Sequence, residues 1–122
     1  MKLDVLLTEI KNSSSEIEFD NVINTIDNHF IYTPTRFSNG ISGDVVINDA
    51  GTNEGSCKVF AFAQIMNLDK DQTLACFGQY YQDVQSTPEG NNHANIRTFM
   101  KHGWPGIQFD APALVANTPN LE

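Results

Sequence analysis

The stretch Val59-Phe60-Ala61-Phe62-Ala63-Gln64-Ile65-Met66 contains one polar residue, Gln64. A helix that is apolar almost all the way round cannot lie on a surface and has to be covered on several sides. The chain, 122 residues with 40% hydrophobic content, is long enough for one such core and too short for a second. Residues 1–122 therefore read as a single domain organised around a buried helix from Cys57 to Met66, with Ser56 as its expected N-cap.

The remaining elements are the cover. Leu3, Leu6, Leu7 and Ile10 recur at helical spacing and predict a first helix over about 2–12, closed by the serine-rich linker Asn12-Ser13-Ser14-Ser15. Ile17-Glu18-Phe19 alternates like a short extended piece, and Asp20 is the expected N-cap of a second helix from Asn21 to about His29. Phe30-Ile31-Tyr32-Thr33-Pro34 is β-branched and aromatic, and Pro34 keeps Thr33 out of helical dihedrals, so the chain runs extended there. Asn39-Gly40 is the expected turn of a hairpin, with Gly43-Asp44 as a competing turn and Asp44 to Asn48 as the returning strand.

Asp69 and Gln72 have the spacing of a capping box. They open an expected long helix from Lys70 to Val84, with Leu74, Phe77, Tyr80, Tyr81 and Val84 inward. A turn-rich link, Thr87 to Asn92, precedes a short helix from His93 to Lys101 that Gly103 ends. Trp104 to Phe109 returns to extended form, and from about residue 115 the tail is expected to fray. The expected fold is mainly helical α+β, with the central helix covered by about four others and one short hairpin.

Net charge of −8 with seven scattered Lys and Arg disfavours a phosphate backbone or an anionic membrane surface as partner. No apolar stretch approaches the roughly 18 to 20 residues that span a bilayer, and Met1 to Leu7 lacks the pattern of a cleaved leader, which predicts a cytoplasmic protein, read here as a monomer. If the central helix and the next form an antiparallel hairpin, Cys57 lies level with about Tyr80 and Cys76 is roughly 6 Å further along the axis, so both thiols are expected free. No pair of His29, His93 and His102 has a metal-ligand spacing, and neither a structural zinc nor another cofactor is expected.

Four blocks in order carry a family resemblance: Thr33-Pro34-Thr35-Arg36-Phe37-Ser38-Asn39-Gly40; Asn48 to Ala63, which includes Asn53-Glu54-Gly55-Ser56-Cys57-Lys58; Gln72 to Tyr81; and His93-Ala94-Asn95-Ile96-Arg97-Thr98-Phe99-Met100-Lys101-His102-Gly103-Trp104. Together they resemble the HopJ type III effector family over nearly the whole chain, with Ile41-Ser42-Gly43 looking like an insertion. The resemblance implies a bacterial protein associated with type III secretion into a host cell, and it brings no assigned reaction.

Two function classes follow. The first is a binding protein acting through a surface cleft on a protein or a small anionic ligand, with Asn53, Gly55, Ser56, Lys58 and Arg97 as candidate ligand-binding residues. Asn39, Asn48, Asn53, Asn91, Asn92 and Asn95 are mostly expected in turns, with some of them beside such a cleft. The second is a small hydrolase or acyltransferase with Cys57 as nucleophile and His93 as base. Gly55-Ser56-Cys57 before an apolar helix is locally similar to the nucleophile helix of papain-like proteases. Lys58 replaces the expected aromatic residue, however, and too little chain follows to place a histidine as that fold does. His93 sits at a predicted helix start, where the dipole favours a neutral imidazole, and Arg97 and Lys101 continue its face.

Overall fold

Helix α3 (Glu54–Ile65) runs through the centre of the computed structural model, which describes residues 2–117. Val59, Phe60, Ala61, Phe62 and Ala63 are buried, as a helix without a polar face requires. Its two ends reach the surface, Glu54 at the start and Gln64 and Ile65 in the last turn, with Ile65 45% exposed. The Phe60 ring is surrounded by Phe99 at 5.0 Å, Phe77 at 5.4 Å, Phe37 at 5.8 Å and Trp104 at 6.4 Å between centroids. Those rings come from four separate stretches of chain, so this one side chain gathers most of the cover.

Helices α1 (Leu3–Asn12) and α2 (Phe19–His29) stack against one another, and α2 lies on α3. Strand β1 (Phe30–Tyr32) follows directly. Strands β2 (Phe37–Ile41) and β3 (Asp44–Asn48) form the expected hairpin, but the turn is Ser42-Gly43. Both turn residues have positive φ, as a tight two-residue connection needs. Asn39-Gly40 lies inside β2 because the Asn39 carboxamide is buried and donates to the Asn95 carbonyl at 2.9 Å. The stretch that looked like an insertion thus makes the turn itself.

Helix α3 starts one residue after Asn53, not after Ser56, and α2 starts at Phe19 rather than Asn21. The Phe19 N–H is satisfied from a distant helix, by Gln79 Oε1 at 3.1 Å, which local sequence does not reveal. The expected long helix from Lys70 to Val84 is two helices, α4 (Lys70–Ala75) and α5 (Gln79–Ser86). Its start is as read, with the Asp69 and Gln72 capping box fully formed. The break is at Gly78, whose φ of +57° brings the backbone so close to α2 that a Cβ would lie 2.6 Å from the Phe19 nitrogen.

Helix α6 (Ala94–His102) packs on the inner face of the hairpin and ends at Gly103 as expected. Trp104–Gly106 forms a 3₁₀ turn in place of an extended segment, with the Trp104 indole donating to the Leu68 carbonyl at 3.0 Å. Two short strands complete the fold: β4 (Gln108–Phe109) joins β2 to give the order β3-β2-β4, and β5 (Leu114–Ala116) pairs antiparallel with β1. Residues 114–116 are therefore held by a partner strand. The part of the expected frayed tail beyond Asn117 lies outside the described residues. The result is α+β, with six α-helices among the described residues where about five were expected and a second, two-stranded sheet that the pattern did not show.

Truncating Phe60 to Ala should destabilise the protein by about 3 to 5 kcal/mol, because four rings cannot all close on the space left behind. Ile65→Ala, at the exposed end of the same helix, should change stability by less than about 0.5 kcal/mol. Chemical denaturation midpoints of the two variants check the contrast, and equal losses would contradict the central placement of Phe60.

Candidate binding cleft

Two helix starts, α3 and α6, open on one cleft of about 340 Å³. Asn53, Gly55 and Ser56 come from the first, and His93, Ala94, Asn95 and Ile96 from the second. Phe19, Phe77 and Tyr80 form an aromatic wall, and Val46 of β3 closes the remaining side. Phe19 stacks on Phe77 at 6.3 Å and meets Tyr80 edge-on at 5.1 Å, and Tyr80 leads on to His93 at 5.5 Å. Gly55 leaves the space the wall occupies, since a Cβ there would lie 2.7 Å from Phe19 Cζ.

Both N-cap residues are left-handed, Asn53 at φ 48°, ψ 47° and His93 at φ 54°, ψ 51°. An N-cap side chain that accepts a bond from its own helix ordinarily does so from an extended backbone. Neither does so here. Asn53 donates to Asn48 Oδ1 at 2.7 Å, and His93 Nε2 lies 3.1 Å from Asp83 Oδ2. In α3 the Cys57 N–H reaches Asn53 O at 3.0 Å, and those of Glu54, Gly55 and Ser56 have no hydrogen-bond partner among the described residues. The N–H groups of Ala94 and Asn95 at the start of α6 are open in the same way.

The chain has 15 Asp and Glu, yet among the described residues no carboxylate lines this cleft. Glu54, at the edge of the helix start, points elsewhere and accepts from the Tyr32 hydroxyl at 3.0 Å. Open N–H groups, two helix dipoles and the absence of a lining carboxylate make the site receptive to an acceptor or an anion. Beneath it lies a cluster of buried carboxamides. Asn48 and Asn95 exchange bonds of 2.8 and 3.2 Å, and Asn39 donates to Asn95 Oδ1 at 3.1 Å.

The structure separates the residues named from sequence. Asn53, Gly55, Ser56 and His93 meet at the cleft. Cys57 does not, because the next residue along a helix is rotated by about 100°. Its thiol is 1% exposed and donates to the Thr35 carbonyl at 3.6 Å on the far side of α3. It is therefore packed against Thr35 and Tyr32, not against Tyr80. No histidine is within hydrogen-bond distance of it among the described residues. Burial pushes the thiol above its usual pKa, outweighing the lowering by Thr35, Tyr32 and Lys58.

Lys58 is bound to Asp27 at 2.8 Å and lies over the Tyr32 ring, away from the cleft. Arg97 organises the preceding loop, donating to Thr87 O at 2.8 Å and to Asn92 O and Oδ1 at 2.6 and 2.8 Å. Cys76, like Cys57, is a free buried thiol, pushed up to about 12 by desolvation. The aromatic wall was hidden in the sequence. Phe77 and Tyr80 fit one face of a continuous helix, and the break at Gly78 turns Tyr80, now 39% exposed, toward the cleft.

The sequence profile of the HopJ type III effector protein family matches residues 3–114. The chain belongs to that family. A crystal structure of VPA0580, described as a protein of unknown function, is similar to this HopJ protein with a TM-score of 0.90 and 46% identity. The match covers 96% of this chain and 95% of that one. Among curated proteins none matches. Three of the four blocks that carry the HopJ resemblance supply cleft residues: the one around Gly55, the one around Tyr80 and the one that starts at His93. No helix among the described residues is long and apolar enough to cross a membrane.

Alkylation of native protein at Cys57 should be slow near neutral pH. Because burial raises the thiol pKa, the rate should rise only at pH values above the ordinary free-thiol range of about 8.5 or on unfolding. Mass-spectrometric rates at Cys57 across pH check this, and rapid labelling of folded protein below that range would contradict the packing described.

Proposed function

We propose that this HopJ protein works by binding a small ligand in the cleft between the starts of α3 and α6. The ligand has an anionic or strongly accepting head that meets the open N–H groups. Its flat apolar body lies against Phe19, Phe77 and Tyr80. The observation that carries this reading is the combination of a formed aromatic wall with two uncapped helix starts and, among the described residues, no lining carboxylate in a protein of net charge −8. At about 340 Å³ the cleft is at the small end of ligand sites. A nucleic acid or a membrane surface would meet the overall negative charge, whereas a small anion needs only the local field.

The family name ties its members to type III secretion, and we carry that to this chain as an effector-like or accessory role in which binding, rather than turnover, is the action. A cysteine hydrolase built from Cys57 and His93 has no support in the geometry, since the thiol is buried on the opposite side of α3 from the cleft.

Titration of ¹⁵N-labelled protein with phenyl phosphate should give saturable amide shifts at Gly55, Ser56, Ala94 and Asn95, with smaller ones at Lys101 and Gln64, which lie outside the cleft. Inorganic phosphate should shift the same amides more weakly, since it lacks the ring that the aromatic wall receives. No saturable change at the four cleft amides would overturn the reading.

A further inference from the structure

Asn48 is the last residue of β3, is 1% exposed, and does not line the cleft. Its Oδ1 nevertheless accepts from both sides of the cleft at once, from Asn53 Nδ2 at 2.7 Å and Asn95 Nδ2 at 2.8 Å. Its Nδ2 donates to Asn95 Oδ1 at 3.2 Å, to the Val46 carbonyl at 3.3 Å and to the Phe37 carbonyl at 3.5 Å. Backbone carbonyls only accept, so the nitrogen has to face Val46 and Phe37 and the oxygen has to face Asn53 and Asn95. The orientation of this carboxamide is thus fixed by its neighbours.

We propose that Asn48 is the positioning residue of the cleft, holding the starts of α3 and α6 at one separation and keeping α3 uncapped. This rests on the reading of the cleft as the binding site and adds a residue to it. The chemistry is specific to a carboxamide. A carboxylate at position 48 would set an acceptor against Asn95 Oδ1 and two carbonyls, and an apolar residue would leave Asn95 without its reciprocal partner. The bond from Asn53 is the part that matters for function. An asparagine at an N-cap ordinarily turns its side chain back to its own helix, and here Asn48 takes that side chain while Asn53 adopts a left-handed backbone. The N–H groups of Gly55 and Ser56 remain available to a ligand as a consequence. Left-handed backbone at a non-glycine residue is uncommon, and of the four described residues that show it two, Asn53 and His93, line this cleft.

The test uses Asn48→Ala and Asn53→Ser with two readouts, amide hydrogen exchange in free protein and affinity for phenyl phosphate. Asn48→Ala frees the Asn53 side chain, and Asn53→Ser supplies a residue that favours an extended backbone, is too short to reach Asn48, and caps well. In both, the Ser56 N–H should become capped and exchange about fivefold slower than in the native protein. Affinity for phenyl phosphate should fall by about tenfold or more. A role confined to stability predicts the opposite for exchange, faster rates throughout the protein. Ser56 exchange that is unchanged or faster in a folded variant overturns the proposal whatever the affinity shows. If Asn48→Ala does not fold, Asn53→Ser, which alters an exposed residue, decides alone. Slower exchange in the variants with no phenyl phosphate binding by the native protein would leave the positioning role standing and remove the binding reading.

Discussion

Burial of the Phe60 side chain on all sides is the constraint on which the rest of the fold depends. Its ring is met by Phe37 from a strand, Phe77 from the turn after α4, Phe99 from α6 and Trp104 from a 3₁₀ turn. A helix enclosed in this way has no free face, so its ends are the parts left for chemistry. The C-terminal end closes by continuing into the turn at Asn67, which has positive φ. The N-terminal end is brought to the surface uncapped. The same geometry decides between the two side chains sequence had placed together: Ser56 faces the cleft, and Cys57, a third of a turn on, faces Thr35 and is sealed.

The two helix starts share one device. In each, a left-handed N-cap residue turns its side chain away from its own helix, Asn53 to Asn48 and His93 to Asp83. A helix start normally gains about 1 kcal/mol from its cap. Here that stabilisation is absent twice, at positions that line one cleft. A nearby buried acceptor, Asn39 Oδ1, also has no partner among the described residues, in a cluster that otherwise pairs its carboxamides closely. Local stability is given up around the cleft while the aromatic core beneath it stays fully packed. Such a distribution of strain is the pattern expected where structure serves binding.

Much of the fold was legible because it follows from local rules. The apolar run located α3, the spacing of Leu6 and Ile10 located α1, and Asp69 with Gln72 started α4 where the capping box predicts. The failures have a common cause in partners distant along the chain. Gly78 breaks a well-patterned helix because the α2 backbone passes against it, and Phe19 begins α2 early because Gln79 supplies the missing acceptor. Asn39 is inside a strand because Asn95, on another element, receives its carboxamide. At the cleft, Asn53, Gly55 and Ser56 were named from turn and cap chemistry and His93 as a base at a helix start, whereas the places of Phe19 and Tyr80, and of Asn48, which was grouped with the turn asparagines, depend on tertiary contacts that no local pattern carries. Lys58 and Arg97 were named for their charge, and the structure uses both to hold loops and neighbouring helices.

The central claim is that the uncapped starts of α3 and α6 receive one ligand head between them. A crystal structure of the protein grown with phenyl phosphate tests it most directly. The account predicts a phosphate oxygen within hydrogen-bond distance of the Ser56 or Gly55 nitrogen, another near the Ala94 or Asn95 nitrogen, and the ring against Phe19 and Tyr80. A cleft left vacant with phenyl phosphate bound elsewhere, or Asn53 turned back to cap α3, would contradict it.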